Sequence, residues 1–132
     1  MEKNCPDQKL EALANAWIRF HEIAALSGQD SKEAKAFFWA YEEFDALCDE
    51  NLSQAIDLVR RILDLTQNDF VLANLAAGPL EDILCRHGPE MISKVELLAK
   101  RDPRFRQLLR GVWRNTIDEH VWKKLQIAAA SE

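Results

Sequence analysis

The sequence predicts an all-α fold, a single compact domain of six or seven helices, and three observations predict it. Apolar residues recur three and four apart along every segment and nowhere alternate for long enough to make a strand. Glycine and proline number four each and stand at segment boundaries, proline at first turns and glycine just past helix ends. The connections between periodic segments are two to five residues long, with no linker and no low-complexity tract. Residues 1–132 therefore read as one helical domain, an antiparallel bundle or a set of short stacked helical hairpins.

The first helix runs from Pro6 to Ser27 and turns Leu10, Leu13, Trp17, Phe20 and Ala24 inward. The second starts near Asp30 and Glu33, spaced as in a capping box, and is expected to bury Ala34, Phe37, Phe38, Tyr41, Phe44 and Cys48. The third, Leu52 to Leu65, buries Leu52, Ala55, Ile56, Val59, Ile62 and Leu63. Asp69 to His87 is helical on both sides of Gly78-Pro79. Pro79 cannot donate to the carbonyl of Leu75, so a kink, a break or a fresh start is expected there. A fifth segment, from Pro89 to Ala99, turns Ile92, Val95, Leu98 and Ala99 inward. The sixth has Asp102 as N-cap and Pro103 at its first position, and buries Phe105, Leu108, Leu109 and Val112. The last is predicted to open on a Thr116–Glu119 capping box and to bury Val121, Trp122, Leu125 and Ala128.

Composition excludes several classes. At 48% hydrophobic and 30% charged, with eleven aromatic residues, the chain is not intrinsically disordered. Its longest apolar run, Ala36 to Tyr41, is six residues, whereas a membrane span needs about 20. Met1-Glu2-Lys3-Asn4 leads into polar sequence without the apolar run of a secretion signal. Cys5, Cys48 and Cys85 are odd in number and lack paired spacing, which argues against a disulfide framework. A cytoplasmic location is the expectation.

The net charge of −5 is unevenly spread. Up to Thr66 there are 13 acids and 7 bases; between Arg86 and Arg114 there are eight bases and three acids. Glu42, Asp45 and Asp49 share one face of the second helix. Arg106, Arg110 and Arg114 form a row at i, i+4, i+8 on the sixth. Such a row could neutralise phosphates, but an acidic chain with one local basic stripe makes a poor nucleic-acid binder. Arginine also pairs bidentately with carboxylates, and Trp113 beside the row is a candidate interface anchor.

Catalytic motifs do not emerge. His21-Glu22 begins like a zinc-protease helix, but Ala25 stands where the second histidine is required. His21, His87 and His120 lie in three different segments, and no Cys-x-x-Cys, phosphate loop or nucleophile elbow occurs. The acidic stripe lacks the turn glycine and alternating oxygen ligands of a calcium loop. No catalytic residue, metal ligand or cofactor is assigned. The most unusual cluster is Glu81, Asp82, Arg86 and His87 after Gly78-Pro79; first-turn acids and an Asp82–Arg86 i,i+4 pair explain it structurally. Short links at Gly88-Pro89 and Arg101-Asp102-Pro103 would bring the sixth helix back alongside, facing Glu81 or Asp82 with Arg104 or Arg106.

One resemblance adds to this. The pieces Leu-Ala-Ala-Gly-Pro-Leu-Glu-Asp (75–82), His-Gly (87–88), Arg-Asp-Pro-Arg-Phe-Arg (101–106), Gly-Val-Trp-Arg (111–114) and Val-Trp (121–122) span a little over a third of the chain. In order and spacing they resemble a family of small bacterial helical proteins known only as a domain of unknown function. The resemblance implies a bacterial source and a compact helical domain, and assigns no activity or ligand. The expected function is a non-catalytic protein-interaction module with a protein partner; an immunity or antitoxin-type protein that masks a basic toxin surface is one version, suited by the acidic helix face and the many aromatic residues. The alternatives are a regulator or nucleic-acid accessory using the arginine face, and an enzyme centred on Glu81, Asp82 and His87. Candidate binding residues are Glu81, Asp82, Arg86, His87, Arg104, Arg106, Arg110, Trp113 and Arg114.

Overall fold

A computed structural model describes residues 6–130, and among them every regular element is helical. Cys5 lies outside the described residues. No helix among those described is long and apolar enough to cross a membrane. The chain divides between Val71 and Leu72 into two compact helical units.

In the first unit, α1 (Pro6–Ser27) packs against α2 (Lys32–Lys35), α3 (Phe38–Glu50) and α4 (Leu52–Leu65). α1 ends where Gly28 takes φ +89° and its N–H returns to the carbonyl of Ala24 at 2.8 Å. This is the left-handed terminus that glycine adopts without a Cβ penalty. Ser31, one residue beyond the predicted Asp30, caps α2 by accepting from the Ala34 N–H at 3.1 Å. The predicted second helix is two: the chain turns at Ala36 and Phe37, then restarts as α3. The restart places Ala40 inward ahead of Phe44 and Cys48, which are buried as expected. Phe38 and Tyr41, expected inside, are consequently 42% and 46% exposed. Asn51 ends α3 and caps α4 through its side chain, which accepts from Gln54 N–H at 3.1 Å. Trp17 and Phe44, both fully buried, meet edge to face at 5.6 Å between ring centres in the middle of this unit. Arg61 on α4 reaches Glu11 on α1 at 3.4 Å.

Asn68 opens α5 (Asp69–Leu75), its side chain accepting from the N–H groups of Phe70 and Val71. The Gly78-Pro79 interruption takes the form of a π-helical stretch, Ala76–Leu80, that leads into α6 (Glu81–Arg101). Pro79 lacks an N–H and crowds the carbonyl one α-turn back, and the widened turn accommodates it: Glu81 N–H donates five residues back, to Ala76. The residues flanking the stretch keep helical dihedrals, so the backbone continues through Pro79. A sharper irregularity falls at His87 (φ −136°, ψ 31°), inside α6 and just before Gly88-Pro89. There the predicted fourth and fifth segments join across a kink.

α6 packs on α7 (Pro103–Leu109) and α8 (Glu119–Ala130), and α7 packs on α8. Leu80, Ile83, Leu84, Val95, Phe105 and Leu109 are among the residues of this core. Gly88 supports the close approach of α8: a Cβ there would lie 3.1 Å from the Val121 side chain. Asp102 caps α7 as predicted, accepting from Arg104 N–H at 2.9 Å with Pro103 at the first position. At α8 the cap is Asp118, two residues after the predicted Thr116. Its carboxylate accepts from the N–H groups of His120 and Val121.

Candidate interaction site

The second unit presents one loop whose geometry is set by a buried carboxylate. The π-helical stretch delivers Glu81 to the first position of α6, where its side chain is 8% exposed. One carboxylate oxygen accepts the backbone N–H of Trp113 at 3.2 Å, the other the side-chain amide of Asn115 at 3.1 Å. Asn115 itself adopts φ 47°, a left-handed conformation that asparagine tolerates better than most side chains. Val112 and Ile117 anchor the two sides of the loop in the core. Between them the indole of Trp113 is 73% exposed.

This differs from the expected pairing of Glu81 with Arg104 or Arg106. The Glu81 carboxylate accepts from neutral donors and makes no ion pair among the described residues. Two amide-type hydrogen bonds satisfy the buried oxygens, and the negative charge stabilises both as charge-assisted bonds. Asp82 pairs with Arg86 on the same helix, at 3.8 Å, as the i,i+4 spacing implies.

The arginine row is not a single stripe, because α7 ends at Leu109 and the chain turns at Arg110 and Gly111. Each of the three arginines serves a backbone carbonyl. Arg106 Nη1 donates to Ala99 O at 2.9 Å, and Arg110 Nε donates to Ala129 O at 2.9 Å. Both acceptors lie in the last turns of their helices, where carbonyls have no intrahelical donor. Arg114 Nε donates to Ile117 O at 3.2 Å and so closes the loop. With Nε occupied, the terminal nitrogens of Arg110 and Arg114 make no other bond among the described residues and can meet an external acceptor, on the two sides of Trp113 in sequence, and both residues are exposed. Beside Arg110 an open groove runs between α7 and α8, lined by Leu109, Val112, Trp122 and Leu125.

The remaining predicted residues are placed apart from this loop by role. Arg86 pairs with Asp82, His87 stands at the kink of α6, and Arg104 follows the Asp102 cap at half-buried exposure. Among the described residues no group of three or more His, Cys, Asp or Glu side chains could hold a metal ion. Sequence reasoning missed Asn115 and the carbonyl-binding role of the arginines. The first carried one usable signal, an asparagine between two helical segments; the second carries none, because periodicity does not reveal which carbonyl a guanidinium will reach.

A family model described as a family of unknown function, DUF6869, matches residues 27–132. No curated protein and no solved structure matches the chain.

Proposed function

The chain belongs to the DUF6869 family of unknown function, and we propose that it acts as a non-catalytic protein-interaction module that docks an acidic partner protein through the Trp113 loop. The observation that carries this reading is the 73% exposed indole held on a loop whose backbone is fixed by buried Glu81. An exposed tryptophan on a flexible loop loses backbone and side-chain entropy on binding; one whose backbone is already fixed loses less, and tryptophan and arginine are the side chains that dominate interface energies. Arg110 and Arg114 add two oriented guanidinium groups suited to carboxylates. A bacterial, cytoplasmic setting belongs to the same reading. An immunity or antitoxin-type role, in which the acidic helix face rather than the Trp113 loop would mask a basic surface, is a separate version of the interaction reading.

The test is affinity capture with three baits: the wild-type chain, Trp113→Ala, and Arg110→Glu with Arg114→Glu, each shown by circular dichroism to keep its helices. A single acidic protein retained by the first bait and lost from both variants supports the proposal. Retention unchanged in the variants sinks it. Nuclease-sensitive nucleic acid lost on the arginine substitutions would instead favour the nucleic-acid accessory reading.

A further inference from the structure

The groove beside Arg110 has a chemistry of its own. Along α8, Leu125, Gln126 and Ala129 follow Trp122 by three, four and seven residues, so the four form one strip on that helix. Leu109 and Val112, from the end of α7 and the turn after it, make the facing wall. At 1.5 Å per residue the strip is about 10 Å long, which matches about three residues of extended chain. Arg110 stands at the Ala129 end, held by the 2.9 Å bond from its Nε to the Ala129 carbonyl. Among the described residues it is the only charged side chain that lines the groove. The groove is therefore apolar along its length and cationic at one end.

We infer that the partner segment docked at the Trp113 loop is both acidic and apolar, with a carboxylate on the Arg110 guanidinium and a neighbouring apolar side chain in the α7–α8 groove. The inference rests on the docking reading above and narrows it, from an acidic protein to a short sequence within one. A purely acidic segment would satisfy Arg110 but set carboxylates against Trp122 and Leu125, which offer them no partner. A purely apolar one would cover the guanidinium without supplying an anion. A segment with both pairs the charge and fills the groove.

Fluorescence anisotropy with two labelled peptides of equal charge tests it: Glu-Glu-Leu-Glu-Glu-Leu-Glu-Glu, and the same peptide with serine in place of both leucines. The leucine peptide should bind the full chain at least about tenfold more tightly. Gln126→Trp, at an exposed position, fills the groove, and Trp122→Ala removes part of its wall. Each should erase the leucine advantage and leave the serine peptide's affinity unchanged, with helices retained by circular dichroism. Trp113→Ala should weaken both peptides alike. Equal affinity of the two peptides for the wild type, lost on Arg110→Glu with Arg114→Glu, would overturn the groove inference and leave the acidic docking reading standing. Binding of neither peptide would overturn both. A leucine preference that survives Gln126→Trp and Trp122→Ala would overturn the inference by placing the leucine elsewhere. Concentration-dependent dimers in sedimentation that disappear in Gln126→Trp would overturn it too, by assigning the groove to a second copy of the chain.

Discussion

Glu81 and Trp113, thirty-two residues apart, are joined by a buried carboxylate accepting a backbone N–H at 3.2 Å. The bond ties the start of α6 to the loop that precedes α8, and it sets the exposure of an indole it does not touch. Glu81→Ala should leave the Trp113 N–H and the Asn115 amide without their acceptor, at a cost of about 1–3 kcal/mol. Hydrogen exchange should quicken for residues 111–117 in that variant while the α6 amides beyond the kink keep their protection.

His21 supplies the pH dependence. It is 8% exposed, and its ring lies 4.2 Å from that of Trp17 and 5.0 Å from that of Phe20. Burial pushes its pKa down from 6.5 to about 4. A folded-state pKa below the unfolded one means that folding favours the neutral ring. The associated stability is fully present above pH 6.5 and is lost as pH falls toward 4. It amounts to about 3 kcal/mol at most. Urea midpoints measured from pH 7 to pH 4 should fall less steeply in His21→Leu than in the wild type.

Three glycines should rank by the space around them. At Gly111 a Cβ would lie 2.9 Å from the Ala76 Cβ, a stub that no rotamer change can move aside. Gly111→Ala should therefore destabilise by about 1–3 kcal/mol. Gly88→Ala meets the Val121 methyl groups at 3.1 and 3.2 Å and should cost less. Gly78→Ala meets nothing within 4 Å and gains helix propensity, so it should be neutral or stabilising by up to about 1 kcal/mol. Thermal melts of the three variants check the order.

Phe38 and Phe44 are both phenylalanines of α3, but only the second is wholly buried. Phe44→Ala should cost about 3–5 kcal/mol. Phe38→Ala should cost well under half of that, because much of its ring is already in water. Urea denaturation of the pair measures the difference, and equal losses would place Phe38 in the core.

Helix type and most inward faces were legible because they depend on local spacing: Trp17, Val59, Val95 and Leu109 are buried as their periodicity implies. The second helix shows where this fails. A turn at Ala36-Phe37 carries neither glycine nor proline, and without that mark periodicity does not reveal that Phe38 and Tyr41 face water, although Ala34, Phe44 and Cys48 are buried as it implies. Caps slipped for a related reason: Asp30 and Ser31, like Thr116 and Asp118, are all common capping residues, and tertiary geometry chooses between them. Of the candidate site, Glu81, Arg110, Trp113 and Arg114 were visible as unusual residues. Their mutual arrangement was not, since it depends on which buried donors the Glu81 carboxylate meets after folding.

The π-helical stretch has a bearing on how this chain can vary. A widened turn is what a helix makes of one residue too many, absorbed locally so that the turns on either side keep their facing. Leu75 and Leu80, five apart, are both wholly buried across Ala76–Leu80 for that reason. A chain shortened by a single residue between them could revert to ordinary α-geometry with both leucines still inward. Natural relatives of different length should therefore gain or lose their residue here, upstream of Glu81, without disturbing the loop that its carboxylate holds.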